Sequence, residues 1–537
     1  MAAPDILRMN HRISQAPPKR RGEIPVINGI LGGTHALKGE IKKRKLSNLQ
    51  VNPDLNPNQS TSSASSVQIT STNSTCLGNS TSLTGYINLD RNRSLFFWYF
   101  EAINKPDQAP LILWLNGGPG SSSMIGLFQE NGPCRIKLDS KGLDPNPETW
   151  NINANMLYVD QPVGVGYSYG VTNVTGAMGA AVDMYDALQI FLADPKFSKF
   201  IGRPFGLWTE SYGGHYAPIM IDYFLQMNSK VANTPKKVVI PVESLGIGNG
   251  LTNPAIQYPA YFSYVKTNPY NQTLVTDEVF KKALLDFNST GGCLNMIKNC
   301  ESSLDGKTCS AAQLYCNKQI LSVLNGDRNP YDIRALDTID YPPELTPLLN
   351  DKKFKTAIGV PLSVNWTESS DSVYDNFVTT GDWMLDSSKQ LERVIDAGVR
   401  TLIYVGDADY IVNYQGVEAM VDALNISVSQ IYKKQNFTNW VVDGEQAGIY
   451  KNAGNLTYLR VFGAGHIVPA YGKGNLKPGR AARVFFEQII SRRPLANSVV
   501  DSGITLNAQV NECATNSIPI SKWLNTLLFL SIISLFV

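Results

Sequence analysis

Short, nearly continuous hydrophobic runs recur along the chain from about residue 94, and several end in a glycine-rich turn. Such runs are typical of strands buried on both faces, as in a parallel sheet covered by helices. Stretches with helical character, at 180–192 and 216–228, lie between them. The pattern predicts an α/β fold with strands at 94–101, 110–115, 156–159, 206–208, 244–247, 401–405 and 456–462.

Two regions lack this alternation of strand and helix patterns. Residues 51–75 are rich in Asn, Ser, Thr and Pro, which is typical of a flexible linker. Residues from about 252 to 385 hold many turn formers and four of the seven cysteines, which indicates an insertion or cap. We therefore expect a leader or pro-segment and linker at 1–75, one domain at 76–500 with its cap, and a tail at 501–537.

The charge of the chain is unevenly distributed. Residues 1–45 contain ten Lys and Arg against three acidic residues, although the whole chain carries only +2. The run Lys42–Lys45 could suggest nucleic-acid binding. It lies in a leader broken by Pro and Gly, and the rest of the chain is mildly acidic, so a leader removed on maturation is the better interpretation and we expect no nucleic-acid partner.

N-glycosylation acceptors are spread over the whole chain, which indicates the secretory route and a glycosylated surface. The apolar stretch 24–33 is a poor signal sequence, because Pro25, Asn28 and Gly29 interrupt it, so we expect either a misassigned start or a weak export signal. The Asn-x-Ser/Thr acceptors are Asn58, Asn73, Asn79, Asn92, Asn173, Asn271, Asn288, Asn365, Asn425, Asn436 and Asn455.

Cysteine usage fits an oxidising compartment. Four cysteines are separated by six, eight and six residues, which matches no zinc-ligand spacing, and no histidine lies near them. Disulfides are the better interpretation, and spacing alone leaves three pairings of the four open. By elimination Cys76 and Cys134 can pair, which leaves Cys513 in the tail. The clustered cysteines are Cys293, Cys300, Cys309 and Cys316.

The C-terminal residues 523–537 read WLNTLLFLSIISLFV and follow a polar spacer and a group of small residues. The apolar stretch is shorter than the ~20 residues that a spanning helix needs. The layout predicts a signal for a glycosylphosphatidylinositol (GPI) anchor, with a retained short anchor or a docked helix as alternatives. Contact with a membrane is expected only through this lipid.

A candidate nucleophile lies in the stretch GLWTESYGGHYAP, residues 206–218. The stretch predicts a strand, a sharp turn and a helix, which is the setting that exposes a nucleophilic serine at the edge of a sheet. Ser211 occupies the turn and Gly213 suits it, but Thr209 stands where the usual signature has glycine. A serine in an ordinary turn between strand and helix is the alternative.

The base and acid that would serve such a serine can be chosen by elimination. The chain has four histidines: two lie in the leader, and His215 lies on the same helix as Ser211. His466, in the loop FGAGHIVPAY after a predicted strand, remains as the base. The acid should fall between serine and histidine in sequence. Asp407 and Asp409 both qualify in VGDADYIV; we prefer Asp409 and expect Asp407 to be structural.

A glycine-rich loop, LWLNGGPGSSS, follows another predicted strand. Exposed backbone N–H groups in such a loop could stabilise an oxyanion, and the N–H of Tyr212 would be the second donor. A phosphate-binding loop is the alternative, but the Gly-Lys-Ser/Thr ending is missing.

Five motifs in this order, WLNGGPGSSS, VDQPVGVGYSY, TESYGGHYAP, GDADYIVN and FGAGHIVP, resemble those of the serine carboxypeptidases over roughly residues 76–495. The resemblance implies an α/β-hydrolase fold with a central, mostly parallel sheet and a cap insertion that carries disulfides. It implies removal of C-terminal residues from peptides without a metal or cofactor.

The resemblance also implies roles for individual residues. It implies Ser211, Asp409 and His466 as the catalytic triad, with the N–H groups of Gly118 and Tyr212 as the oxyanion hole. It implies nested disulfides, Cys293 with Cys316 and Cys300 with Cys309. The residues that it implies for binding the substrate's terminal carboxylate are Asn116, Glu130, Glu210 and the N–H of Gly117.

Two neighbouring glutamates could bind a carboxylate only if they hold protons, and their mutual repulsion would raise the pKa of at least one. Peptide binding should therefore favour acidic pH. An acyltransferase on the same scaffold and a non-catalytic protective or binding glycoprotein are alternatives. The intact carboxylate-binding set argues against the first, and the intact triad argues against the second.

Overall fold

The structure, a computed structural model, describes residues 65–72, 81–231, 236–336 and 342–498. The leader, the predicted tail at 501–537, Cys76, Cys513, Asn58, Asn73 and Asn79 lie outside these residues. Within the described ranges, no helix is both long enough and apolar enough to span a bilayer.

Twelve of the described strands form one sheet. Six central strands run parallel, and antiparallel strands extend the sheet at both edges. The order is β1-β2-β3-β7-β4-β9-β10-β13-β16-β15-β14, with β8 beside β3. These strands are β1 (Ser66–Ser71), β2 (Ser82–Asp90), β3 (Arg93–Phe100), β4 (Leu111–Leu115), β7 (Asn155–Val159), β8 (Tyr169–Gly170), β9 (Phe205–Glu210), β10 (Val242–Gly248), β13 (Arg400–Gly406), β14 (Thr438–Val442), β15 (Glu445–Ala453) and β16 (Leu456–Val461).

All seven predicted strands are present within a few residues of their expected bounds. The expected start of the domain at residue 76 is too late, because β1 lies inside the segment predicted to be a linker. This strand pairs with β2 along one edge of the sheet, and Thr70 donates a hydrogen bond to the carbonyl of Ile358 at 3.0 Å. An edge strand with small polar residues has too weak a hydrophobic pattern to be distinguished from a linker.

Helices cover both faces of the sheet. The predicted helices at 180–192 and 216–228 are confirmed as parts of α1 and α2, and both pack into one of two cores that the sheet separates. In the second core the ring of Trp150 stacks on Phe486 with centroids 4.1 Å apart and meets Trp208 edge-on at 5.2 Å. Helices outside the insertion are α1 (Ala177–Ala193), α2 (Gly213–Asn228), α12 (Ser388–Asp396), α13 (Tyr414–Ala423), α14 (Ser429–Lys434) and α15 (Arg480–Ile490).

The region between β10 and α12 contributes no described strand to the main sheet. It contains short helices and the antiparallel pair β11 (Arg328–Asn329) and β12 (Asp332–Leu336), while β5 (Cys134–Ile136) and β6 (Leu143–Pro145) pair elsewhere in the chain. The helices are α3 (Pro254–Gln257), α4 (Ala260–Lys266), α5 (Asp277–Asn288), α6 (Cys293–Ser303), α7 (Gly306–Cys316), α8 (Ser322–Leu324), α9 (Thr346–Leu349), α10 (Lys352–Ala357) and α11 (Asp371–Thr380).

Two disulfides close the hairpin of α6 and α7. Cys293 pairs with Cys316 and Cys300 with Cys309, with Cα atoms 5.0 and 4.6 Å apart, which confirms the nested pairing. Cys134 is also disulfide-bonded, and its expected partner lies outside the described residues.

Candidate active site

Ser211 lies on a sharp turn between β9 and α2. Its φ of 62° is in the left-handed region, which residues other than glycine rarely adopt and which costs about 1–3 kcal/mol. The turn is held because the Ser211 N–H donates to the carbonyl of Gly248 at 2.9 Å and the Leu251 N–H donates to the Ser211 carbonyl at 3.0 Å. The serine is therefore presented at the carboxyl end of the parallel strands.

Thr209 and Gly213 share the space beneath this turn. A Cβ added at Gly213 would lie 2.0 Å from Thr209 Oγ1, far inside a van der Waals contact. The threonine side chain is buried and occupies the room that a side chain at 213 would need. This turn therefore accepts threonine in place of the usual glycine because Gly213 lacks a side chain.

His466 and Asp409 are brought together by two loops that follow adjacent parallel strands, β16 and β13. His466 Nδ1 and Asp409 Oδ2 are 2.8 Å apart, and both side chains are fully buried. With Nδ1–H donated to the carboxylate, Nε2 is the free nitrogen, and it has no hydrogen-bond partner among the described residues. Nε2 therefore makes no hydrogen bond to Ser211 and is free to accept a proton.

The other candidate acid and base are engaged elsewhere. Asp407 Oδ1 accepts hydrogen bonds from the Tyr270 hydroxyl at 2.5 Å and the Gly463 N–H at 2.9 Å. His215 Nε2 lies 3.0 Å from the carbonyl of Trp383, and burial lowers the pKa of its ring. The contacts of Asp407 agree with the structural role expected for it.

The glycine-rich loop passes directly over the nucleophile turn. A Cβ added at Gly117 would lie 2.5 Å from the Tyr212 nitrogen, so only glycine allows this approach. Gly118 has a φ of 105°, which also favours glycine. The N–H groups of Gly118 and Tyr212 donate no hydrogen bond to another described residue. Two backbone donors are thus available beside Ser211.

Asn116, Glu130 and Glu210 form one buried cluster beside this loop. Asn116 Nδ2 donates to Glu210 Oε1 at 2.8 Å, while Asn116 Oδ1 accepts from Trp114 Nε1 at 2.8 Å and from the Gly126 N–H at 3.0 Å. Both carboxylate oxygens of Glu130 and Oε2 of Glu210 are buried without a hydrogen-bond donor among the described residues. Buried carboxylate oxygens without donors favour the protonated acid.

The environment raises the pKa of both glutamates. Burial raises the pKa of Glu130 to about 7. Burial and then the negative charge of Glu130 raise the pKa of Glu210 well above its ordinary value. A proton held by the pair would turn one acid into a donor, which two ionised carboxylates lack.

Known proteins are similar to this chain over most of its length. A profile of the serine carboxypeptidase family matches residues 74–489. Carboxypeptidase S1 of Penicillium janthinellum is 36% identical over 420 residues, which cover 77% of this chain and 96% of that protein. This chain belongs to the serine carboxypeptidase family.

Two further relatives extend the comparison. Carboxypeptidase Y homolog A of Coccidioides posadasii is 36% identical over 401 residues, covering 72% of this chain and 71% of that protein. The crystal structure of Kex1Δp, described as a prohormone-processing carboxypeptidase from Saccharomyces cerevisiae, aligns with a TM-score of 0.64 at 22% identity. The alignment covers 77% of this chain and 91% of that one, which confirms the α/β-hydrolase fold.

Two positions in this serine carboxypeptidase were missed by the sequence analysis. Asn249 Nδ2 donates to Asp409 Oδ2 at 2.8 Å, and Asn249 Oδ1 accepts from the Gly406 N–H at 3.1 Å. Asp160 accepts hydrogen bonds from the Ser122 hydroxyl and the Ser123 N–H at 2.6 and 2.9 Å, which fixes the far side of the glycine-rich loop. Asp160 lies in a recognised motif, but no pattern in the sequence assigned either side chain its partner.

Because the side chains of residues 209 and 213 compete for the same space, a smaller residue at 209 should compensate for a larger one at 213. We expect Gly213→Ala to lower kcat by about 100-fold, because a displacement of ~1 Å at a nucleophile has that effect. Thr209→Gly alone should retain activity, and the double variant Thr209→Gly, Gly213→Ala should recover most of the loss. Steady-state kinetics on a peptide substrate measure all three. Equal losses in the single Gly213→Ala variant and the double variant would refute the explanation.

Proposed function

We propose that Ser211, His466 and Asp409 carry out the hydrolysis of the C-terminal peptide bond. His466 Nε2 takes the hydroxyl proton as Ser211 Oγ attacks the carbonyl carbon, and then gives it to the departing amino group. The acyl-enzyme is released by water, which His466 activates in the same way. The observation that carries the proposal is the buried 2.8 Å contact of His466 Nδ1 with Asp409, which leaves Nε2 free.

Asp409 has two functions in this reaction. It fixes the tautomer and orientation of the His466 ring, and its negative charge stabilises the imidazolium that forms. The carboxylate is itself held by Asn249 and by the N–H groups of Ile411 and Val412, each 3.1 Å from it. These contacts hold the carboxylate in place while the histidine ring gains and loses a proton.

The N–H groups of Gly118 and Tyr212 would stabilise the negative charge that develops on the substrate oxygen. Both belong to backbone held by close packing, so they need no rearrangement as the charge appears. The loss of one donor of this kind typically lowers kcat by about 10²- to 10³-fold.

The cluster of Asn116, Glu130 and Glu210, with the N–H of Gly117, would bind the terminal carboxylate of the peptide. A protonated glutamate can donate to that carboxylate, whereas an ionised one would repel it. The site thus selects substrates with a free C-terminus and restricts cleavage to the last bond. It also supports hydrolysis of peptides over acyl transfer to an alcohol.

This proposal predicts a pH dependence. The pKa of Glu130 is raised to about 7, so Glu130 gains its proton as the pH falls through this value. We expect KM for a blocked dipeptide with a free acid to rise by about tenfold per pH unit above 7, the limiting slope for one required proton. KM for the matching C-terminal amide should lack this rise. The Ser211→Ala variant should release no amino acid at any pH. Amino-acid release between pH 4 and 9 measures both.

Glu130→Gln is the matched variant, since an amide remains a donor and does not titrate. Its KM for the free acid should stay flat across pH 7. The thermal stability of the wild-type protein should also fall more than that of the variant as the pH rises from 4.5 to 7. In this pH range the folded state binds a proton on Glu130 that the unfolded state has already released. An unchanged KM profile in Glu130→Gln would contradict the assignment.

We also propose that the protein follows the secretory route, is matured by removal of its leader and reaches the cell surface on a GPI anchor. Sequon exposure supports glycosylation: Asn455 is half-buried, and the remaining sequon asparagines in the described ranges are exposed. These exposed residues are Asn92, Asn173, Asn271, Asn288, Asn365, Asn425 and Asn436.

A single preparation from cells tests this route. Peptide N-glycosidase should lower the apparent mass, and phosphatidylinositol-specific phospholipase C should release the enzyme from membranes. N-terminal sequencing should place the new terminus before Ser65, because β1 belongs to the fold. Release by salt alone would contradict the anchor, and an unchanged mass would contradict glycosylation.

A further inference from the structure

A buried carboxylate lies behind the nucleophile turn and takes no part in the mechanism described above. Asp382 belongs to the short segment that joins α11 to α12 and is 8% exposed. Its Oδ2 accepts hydrogen bonds from the Tyr212 hydroxyl and from the Ala177 N–H, the latter at 3.0 Å. It forms no ion pair with Lys or Arg among the described residues. The side-chain hydrogen bond of this buried acid therefore comes from the tyrosine that follows Ser211.

Tyr212 connects this acid to the reacting atoms. Its backbone N–H is one of the two free donors beside Ser211, and its side chain points away from them into the protein. The ring is enclosed by Trp383, with centroids 5.6 Å apart, and by His215 at 4.8 Å. The Tyr212 hydroxyl is thus connected to the Tyr212 backbone N–H through a ring that its neighbours hold in place.

The segment that carries Asp382 is fixed on both sides. Gly381 has a φ of 62°, and a Cβ there would lie 2.1 Å from the backbone of Cys309 in the disulfide-closed hairpin. On the other side, Ser387 Oγ lies within 3.0 Å of the carbonyls of Gly214 and Thr252. Asp382 is therefore held in place independently of Tyr212.

We propose that Asp382 is a positioning residue for the oxyanion hole, acting through the Tyr212 hydroxyl to keep the Tyr212 N–H aimed at the developing oxyanion. The inference rests on the proposed acyl transfer by Ser211. Hydrogen bonds to an ionised acceptor are stronger than those between neutral groups, so a carboxylate restrains the tyrosine better than an amide would. Because only the charged oxygen of the transition state uses this donor fully, the effect appears in kcat.

The variants that test this are Tyr212→Phe, Asp382→Ala and Asp382→Asn, with Tyr185→Phe as the control. Tyr185 on α1 is also buried, its ring packs in the same core as that of Tyr212, and its hydroxyl makes no hydrogen bond among the described residues. We expect Tyr212→Phe and Asp382→Ala each to lower kcat by about tenfold and to change KM by less than about twofold. The loss in kcat is smaller than the ~10²- to 10³-fold loss from removing a whole oxyanion-hole donor, because the N–H is displaced and not removed. Asp382→Asn can keep both hydrogen bonds through its carbonyl oxygen and should recover part of the loss.

A second readout separates positioning from general damage. A peptide aldehyde adds the Ser211 hydroxyl across its carbonyl and forms a hemiacetal whose oxygen occupies the oxyanion hole. A product peptide bound through its terminal carboxylate does not depend on that donor. We expect the inhibition constant of the aldehyde to rise by about the factor lost in kcat, while that of the product stays unchanged. The double variant Tyr212→Phe, Asp382→Ala should lose little more than either single variant, because both remove the same contact.

The outcomes are distinguishable. A folded wild-type protein without carboxypeptidase activity would refute the proposed function itself. An active wild type with Tyr212→Phe no slower than Tyr185→Phe would overturn the role of Asp382. Equal weakening of aldehyde and product binding would also overturn it, as would additive losses in the double variant. If Asp382→Ala does not fold, Tyr212→Phe still decides, since phenylalanine keeps the ring and removes only the hydroxyl.

Discussion

The proposed active site depends on the buried contact between His466 Nδ1 and Asp409 Oδ2 at 2.8 Å. A charge in a site without solvent is costly unless hydrogen bonds surround it, and Asn249 with two backbone N–H groups supplies them here. Parallel pairing of β13 with β16 brings the two loops to one edge of the sheet, and β10, next to β13, brings Asn249. The sheet order is therefore a precondition for the proposed catalytic pair.

The insertion contacts the loops of Asp409 and His466, the glycine-rich loop and Tyr212. Its hairpin at Pro330 and Tyr331 accepts backbone hydrogen bonds from the loops of Asp409 and His466, between 2.9 and 3.1 Å. Ser370 donates its N–H to Gly120 in the glycine-rich loop at 2.9 Å. Asp382 reaches the residue after the nucleophile. The insertion thus fixes the catalytic loops in addition to covering them, which explains why disulfides brace it.

Short-range patterns in the sequence were enough to predict the central sheet and His466. Buried strands ending in glycine-rich turns revealed the central sheet, and elimination among four histidines led to His466. Asn249 and Asp382 were missed because their roles come from contacts across 160 and 170 residues, which no local pattern records. The hairpin of β14 and β15 was missed although Asp443 and Gly444, both with positive φ, form the Asp-Gly turn that favours such hairpins. The strand β1 was missed because its alternation is weak.

The central claim is that Ser211 is a nucleophile because His466 and Asp409 activate it. Labelling with a fluorophosphonate tests it directly, since the probe forms a bond between phosphorus and the oxygen of an activated serine and releases fluoride. Peptide mapping by mass spectrometry should place the label on Ser211 and on no other serine, and His466→Ala should abolish it. Label on a serine of the glycine-rich loop, or labelling of Ser211 that persists in His466→Ala, would contradict the account.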